Sequence, residues 1–103
     1  MYRFWVQDRM YRKWVHMTYS AQTEEMKILL SWLKNNRIEK ELTMRDLAER
    51  LRTQHSFVQK VENGERRLDL IEYLRYCQAL EVDPIEGMRK VQNFVKARKL
   101  AGQ

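Results

Sequence analysis

The chain has 103 residues, 44% hydrophobic and 33% charged, with three glycines, one proline and one cysteine. That is room for one domain with one core, and so few helix breakers argue against a sandwich or a disordered chain. Cys77 alone cannot form an internal disulfide, and with His16 and His55 so far apart in the chain no metal-ligand spacing exists.

The net charge of +6 points toward an anionic partner. Residues 1 to 17 hold +3 and residues 89 to 103 hold +5, which leaves residues 18 to 88 at −2. The sum therefore says little about the central domain, and local arrangement has to decide. No apolar run reaches the roughly 20 residues of a membrane span, and the N-terminus lacks the apolar block of a secretory signal. A cytoplasmic protein with no membrane partner, no metal and no cofactor is expected.

In chain order, Met26, Leu29, Leu30 and Leu33 recur at helical spacing between Ser20 and Lys40, with Ile28 and Trp32 widening the stripe. Thr43 followed by Asp46 is a cap signal for a short second helix carrying Met44, Leu47, Ala48 and Leu51. Arg52 and Thr53 make the break, and Thr53 is placed to cap a third helix with Phe57, Val58 and Val61 on its inner face. Gly64 ends that helix in the left-handed position glycine fills at least cost. Asp69 with Glu72, and Asp83 with Pro84 and Glu86, open a fourth and a fifth helix. Leu70, Tyr73, Leu74, Cys77 and Leu80 are expected to line the fourth, and Ile85, Met88, Val91 and Val95 the fifth.

On a wheel of ~3.6 residues per turn, the third helix gathers Phe57, Val58 and Val61 on one arc and His55, Ser56, Gln59 and Lys60 on the other. Such a helix suits the major groove, where base edges offer donors and acceptors. Most polar helix faces are simply solvated, and the wheel alone leaves that reading open. Two short helices around a tight break, with the small Ala48 allowing a close crossing, make a helix-turn-helix.

The run LTMRDLAERLRTQHSFVQKVENGERRLDLIEYLRYCQALEVDP resembles the Cro and phage-repressor type of helix-turn-helix, the Xre family, over roughly residues 26 to 88. The matching features are Arg37, Leu42-Thr43, Leu47-Ala48, Leu51, Ser56, Val58, Val61, Glu62-Asn63-Gly64 and Leu80. The resemblance implies an all-α, five-helix domain over residues 18 to 88 with a longer C-terminal helix. It also implies that Gln54, His55, Ser56, Gln59 and Lys60 touch bases, that Asn63, Arg66 and Arg67 meet phosphates, and that Arg37 and Glu62 form an internal ion pair. Thr43 and Arg52 are added to the phosphate set, Arg52 as a cation offsetting Met44, which stands where the family commonly has a phosphate-gripping glutamine. Glu41, Arg52 and Glu81 replace glycines of the family, so those turns are expected to be reshaped.

The ends lie outside that pattern. Residues 1 to 17 mix cations with Phe4, Trp5, Tyr11 and Trp14, an arm for a minor groove or a partner protein, or a plain extension. Ile85, Met88, Val91, Phe94 and Val95 exceed what a core of this size needs, which assigns the last helix and residues 89 to 103 to dimerisation; a helix folded back on its own core is the alternative. No catalytic set is recognisable, and an enzyme is not expected. The reading is a homodimeric repressor binding an inverted repeat in double-stranded DNA. The alternative is an antitoxin-type module that neutralises a protein partner, a toxin or another regulator.

Overall fold

The computed structural model describes residues 23 to 100. The arm at residues 1 to 17, the expected helix start at Ser20 and the last three residues lie outside them. The described chain is all-α: α1 (Glu24–Glu39), α2 (Met44–Leu51), α3 (His55–Glu62), α4 (Leu70–Leu80) and α5 (Pro84–Leu100).

Four of the five helix starts are closed by side chains. Thr23 Oγ1 accepts the Met26 N–H at 3.2 Å. Thr43 and Asp46 form a reciprocal capping box at 3.0 and 2.9 Å, and Asp69 and Glu72 a second at 2.7 and 3.0 Å. Asp83 Oδ1 accepts the Ile85 N–H at 3.0 Å, with Pro84 at the first helical position, where its missing donor is no loss. The exception is α3. Its N-cap is Gln54, which makes no side-chain cap bond. Thr53, expected in that role, is one residue too early: its N–H already bonds the Ala48 carbonyl at 2.9 Å and closes α2.

The ends of α1 to α4 share one device. At Glu41, Arg52, Glu81 and Gly64 the backbone enters the left-handed region, with φ of 59°, 57°, 60° and 76°. Each of these residues donates to the carbonyl three back, and its successor to the carbonyl five back, as in Leu42 N–H to Arg37 and Val82 N–H to Cys77. This double bond pattern is the Schellman closure. The turns at Glu41, Arg52 and Glu81 are therefore not reshaped by the loss of glycine. The hydrogen bonds hold the left-handed geometry, and the side chains bear its steric cost, roughly 1 to 2 kcal/mol each.

Eleven buried hydrophobics form the core: Leu30, Trp32 and Leu33 of α1, Leu47 and Ala48 of α2, Val58 and Val61 of α3, and Tyr73, Tyr76, Cys77 and Leu80 of α4. Full burial of a side chain such as Leu47 or Leu33 contributes about 1.5 to 3 kcal/mol. The inward face of α4 thus runs through positions 73, 76, 77 and 80. Leu70 and Leu74, expected to line it, lie on another flank and are 63% and 41% exposed. Tyr76 occupies the inward position instead.

α5 packs chiefly along α1, and α2 chiefly on α3. Gly87 is the point of closest approach for α5: a Cβ there would stand 2.5 Å from Trp32 Cζ3 and 2.5 Å from the Tyr73 hydroxyl. Tyr73 in turn donates to the Pro84 carbonyl at 2.6 Å, tying α4 to the start of α5. Burial raises the pKa of that phenol, so it remains a donor.

Candidate nucleic-acid interface

α2 and α3 cross with Ala48 at 3% exposure and Leu47, Val58 and Val61 at 0%. With Val58 and Val61 turned inward, the 3.6-residue period turns Ser56, Gln59 and Lys60 outward; these three and Gln54 are exposed. His55, at the first helical position, is half-buried. The five residues considered for base contact are thereby gathered on and beside the outward flank of one short helix, offering amide, hydroxyl, imidazole and ammonium groups. Ser56 Oγ and Gln54 Oε1 are 3.5 Å apart, at the limit of a hydrogen bond.

The far end of α3 is fixed from within. Arg37 Nε donates to Glu62 Oε2 at 2.6 Å and Nη2 to Oε1 at 3.1 Å, while Nη1 donates to the Leu42 carbonyl at 2.7 Å. The side chains are 10% and 3% exposed. One guanidinium therefore joins α1, the α1–α2 turn and the end of α3. A buried pair is stable only when its remaining donors are satisfied, and the bond to Leu42 meets that condition. The Tyr76 hydroxyl is buried without a hydrogen-bond partner. Its proton is held by burial and by the nearby Glu62 charge, with Arg37 opposing.

The cations expected at phosphates are placed unequally. Arg52, exposed at the left-handed end of α2, borders a concavity at the start of α3 together with Thr53, Gln54, Ser56, Phe57, Lys60 and Arg66. Thr43 is exposed at the start of α2, its Oγ1 engaged with the Asp46 N–H. Asn63 and Arg67 are exposed in the turn after α3. Arg66 is already bound: Nη1 reaches Glu72 Oε1 at 3.0 Å and the Arg67 carbonyl, Nη2 reaches Glu72 Oε2 at 2.6 Å, and its Cζ lies 4.9 Å from the Phe57 ring centroid. Hydrogen bonding to Arg66 comes first among the causes that lower the Glu72 pKa, and the same bond raises that of Arg66. Sequence reasoning missed this cluster. Glu72 had a sufficient explanation as a cap, and six residues across a turn give no periodic signal.

Of the residues assigned to dimerisation, Ile85, Met88 and Val95 are 50%, 45% and 43% exposed. Val91 and Phe94 are half-buried on the helix that lies along α1. Leu70, Ile71 and Leu74, which were not in that set, are exposed on the first half of α4. Among the described residues no group of His, Cys, Asp and Glu is arranged to hold a metal, and no helix is long and apolar enough to cross a membrane.

The helix-turn-helix family model HTH_3 matches residues 33–86. No curated protein matches the chain. Among solved structures, an Xre-family-like protein from Pseudomonas syringae pv. tomato is 37% identical, with a TM-score of 0.65 over 68% of this chain and 85% of that one. The clp gene regulator ClgR of Corynebacterium glutamicum aligns at 21% identity and a TM-score of 0.62, over 70% of this chain and 94% of its own. A mutant of the restriction-modification controller protein C.Esp1396I aligns at 20% identity and a TM-score of 0.62, over 71% of this chain and 92% of its own. The last two show likeness of fold. With the family model matching more than half of its length and the outward flank of α3 in place, the chain belongs to the Xre family of helix-turn-helix proteins.

Proposed function

We propose that the chain is a transcriptional repressor that occupies an inverted-repeat operator as a homodimer. The observation that carries this reading is the outward flank of α3: Gln54, His55, Ser56, Gln59 and Lys60 present hydrogen-bonding groups beside a helix buried on its other side by Val58 and Val61. In the major groove these groups meet base edges that differ for each base pair. Thr43, Arg52, Asn63 and Arg67 serve as backbone contacts that set register without reading sequence. Arg66, with both terminal nitrogens engaged, is not counted among them.

The exposed apolar residues favour a second copy as partner. Leu70, Ile71 and Leu74 of α4 and Ile85 and Met88 of α5 lie on the first halves of two helices that the Tyr73–Pro84 bond holds together. Apolar side chains exposed on two joined helices suit the self-complementary interface of a two-fold dimer. A two-fold through it sets two α3 helices to read half-sites about 34 Å apart.

The test is selection of bound duplexes from a random pool, followed by gel shifts at several salt concentrations. An enriched palindrome with half-sites about one turn apart, bound with a steep salt dependence, supports the proposal. Binding without sequence preference, beside a tight complex with another protein, would overturn it in favour of an antitoxin-type role.

A further inference from the structure

The two ends of α3 are secured in different ways. Its last residue, Glu62, is locked by Arg37. Its start has no side-chain cap, because Gln54 makes none. Near that end Phe57 packs half-buried against the core, and over its ring lies the Arg66 guanidinium, 4.9 Å from the centroid. The same guanidinium grips Glu72 in a two-pronged bond of 3.0 and 2.6 Å. Glu72 is itself immobilised by the α4 capping box, its Oε1 accepting the Asp69 N–H at 3.0 Å.

Resting on the DNA-reading role proposed above, we infer that Arg66 is a positioning residue: with Glu72 it clamps Phe57 and so sets the tilt of the α3 start that carries Gln54, His55 and Ser56. Two features favour a clamp over a phosphate contact. Three of its five N–H donors are spent, two on Nη1 and one on Nη2, which leaves one on Nη2 and the one on Nε. The charge is also neutralised locally by Glu72, so its pull on a phosphate is weak. The pair is partly exposed, at 41% and 26%, and adds little to global stability. Its effect is local, and only at the reading end of α3.

The test uses the full chain with its selected duplex and a scrambled duplex. Arg66→Ala lowers affinity for the selected duplex about tenfold, the scale of one misplaced base contact, while the scrambled duplex and the salt slope stay unchanged. Glu72→Gln keeps the cap acceptor and shifts affinity in the same direction. Arg66→Lys does not rescue, since an ammonium has neither the fork nor the flat face. Loss on both duplexes with a slope flattened by about 1, together with a gain in affinity for Glu72→Gln, makes Arg66 a phosphate contact and overturns the clamp.

Amide exchange without DNA gives a second readout. In Arg66→Ala the Phe57 N–H, bonded to the Gln54 carbonyl at 3.0 Å, exchanges faster while the Asn63 N–H, bonded to Gln59 at 3.0 Å, does not. Equal exchange at both ends overturns the clamp even if the native chain selects no duplex at all, a result that would instead end the DNA-reading proposal.

Discussion

Arg52 sits at a left-handed position, φ 57° and ψ 47°, with its side chain at the edge of the α3 concavity. Replacing it with glycine separates backbone from side chain. Relief of the left-handed penalty stabilises the fold by about 1 to 2 kcal/mol. The greater freedom of glycine in the unfolded chain costs back about 0.4 to 1 kcal/mol. The net is a gain of up to about 1.6 kcal/mol, centred near 0.8 kcal/mol, which at that centre raises Tm by about 3 to 6 °C for a domain of this size. Glu41→Gly and Glu81→Gly, in the same geometry with φ of 59° and 60°, gain as much. Only Arg52→Gly weakens DNA binding, equally on all sequences, and flattens the salt slope by about 1. Urea titrations at constant m and salt-titrated gel shifts on the three variants are the assays. If the three variants melt at or below the native temperature, the strain argument is wrong. If Arg52→Gly leaves the slope alone, Arg52 does not face phosphate.

Gln59→Ala costs about 1 to 3 kcal/mol on the selected duplex and relaxes preference at one base pair, read by repeating the selection; uniform loss on every duplex contradicts a base-reading role. Glu62→Ala strands the buried Arg37 charge and costs about 3 to 5 kcal/mol in urea, with loss of ordered binding at ambient temperature. Gly87→Ala drives a methyl into Trp32 and Tyr73 and costs about 1 to 3 kcal/mol, seen as a lowered urea midpoint. Asp46 and Glu72, both lowered in pKa by their capping bonds and Glu72 first by Arg66, contribute stability that is complete above their unfolded pKa values. That contribution disappears as pH falls through their lower folded values. The urea midpoint therefore drops below about pH 4, and Asp46→Asn with Glu72→Gln makes the fall shallower.

Periodicity and capping made the five helices legible, because Thr43-Asp46, Asp69-Glu72 and Asp83-Pro84 are local chemistry that survives in any context. The inward face of α4 was not legible. Leu70, Tyr73, Leu74, Cys77 and Leu80 and the set 73, 76, 77 and 80 both satisfy a helical stripe, and only the neighbours of α4 choose between them. The outward arc of α3 could be read because burial of Val58 and Val61 fixes it by geometry alone. The Arg66–Glu72–Phe57 cluster could not, since it depends on how one turn folds back between two helices. The left-handed turns were misjudged for a related reason: paired backbone bonds at Glu41, Arg52 and Glu81 outweigh a penalty that side-chain identity alone makes conspicuous.

The bare backbone at Gly87 has a bearing on evolution. Any side chain there would lift α5 from α1 and swing the exposed surface of Ile85 and Met88. If two copies pair through that surface as proposed, the separation of their α3 helices depends on this one missing carbon, so a change of target spacing would begin at Gly87 rather than at a residue that touches the duplex.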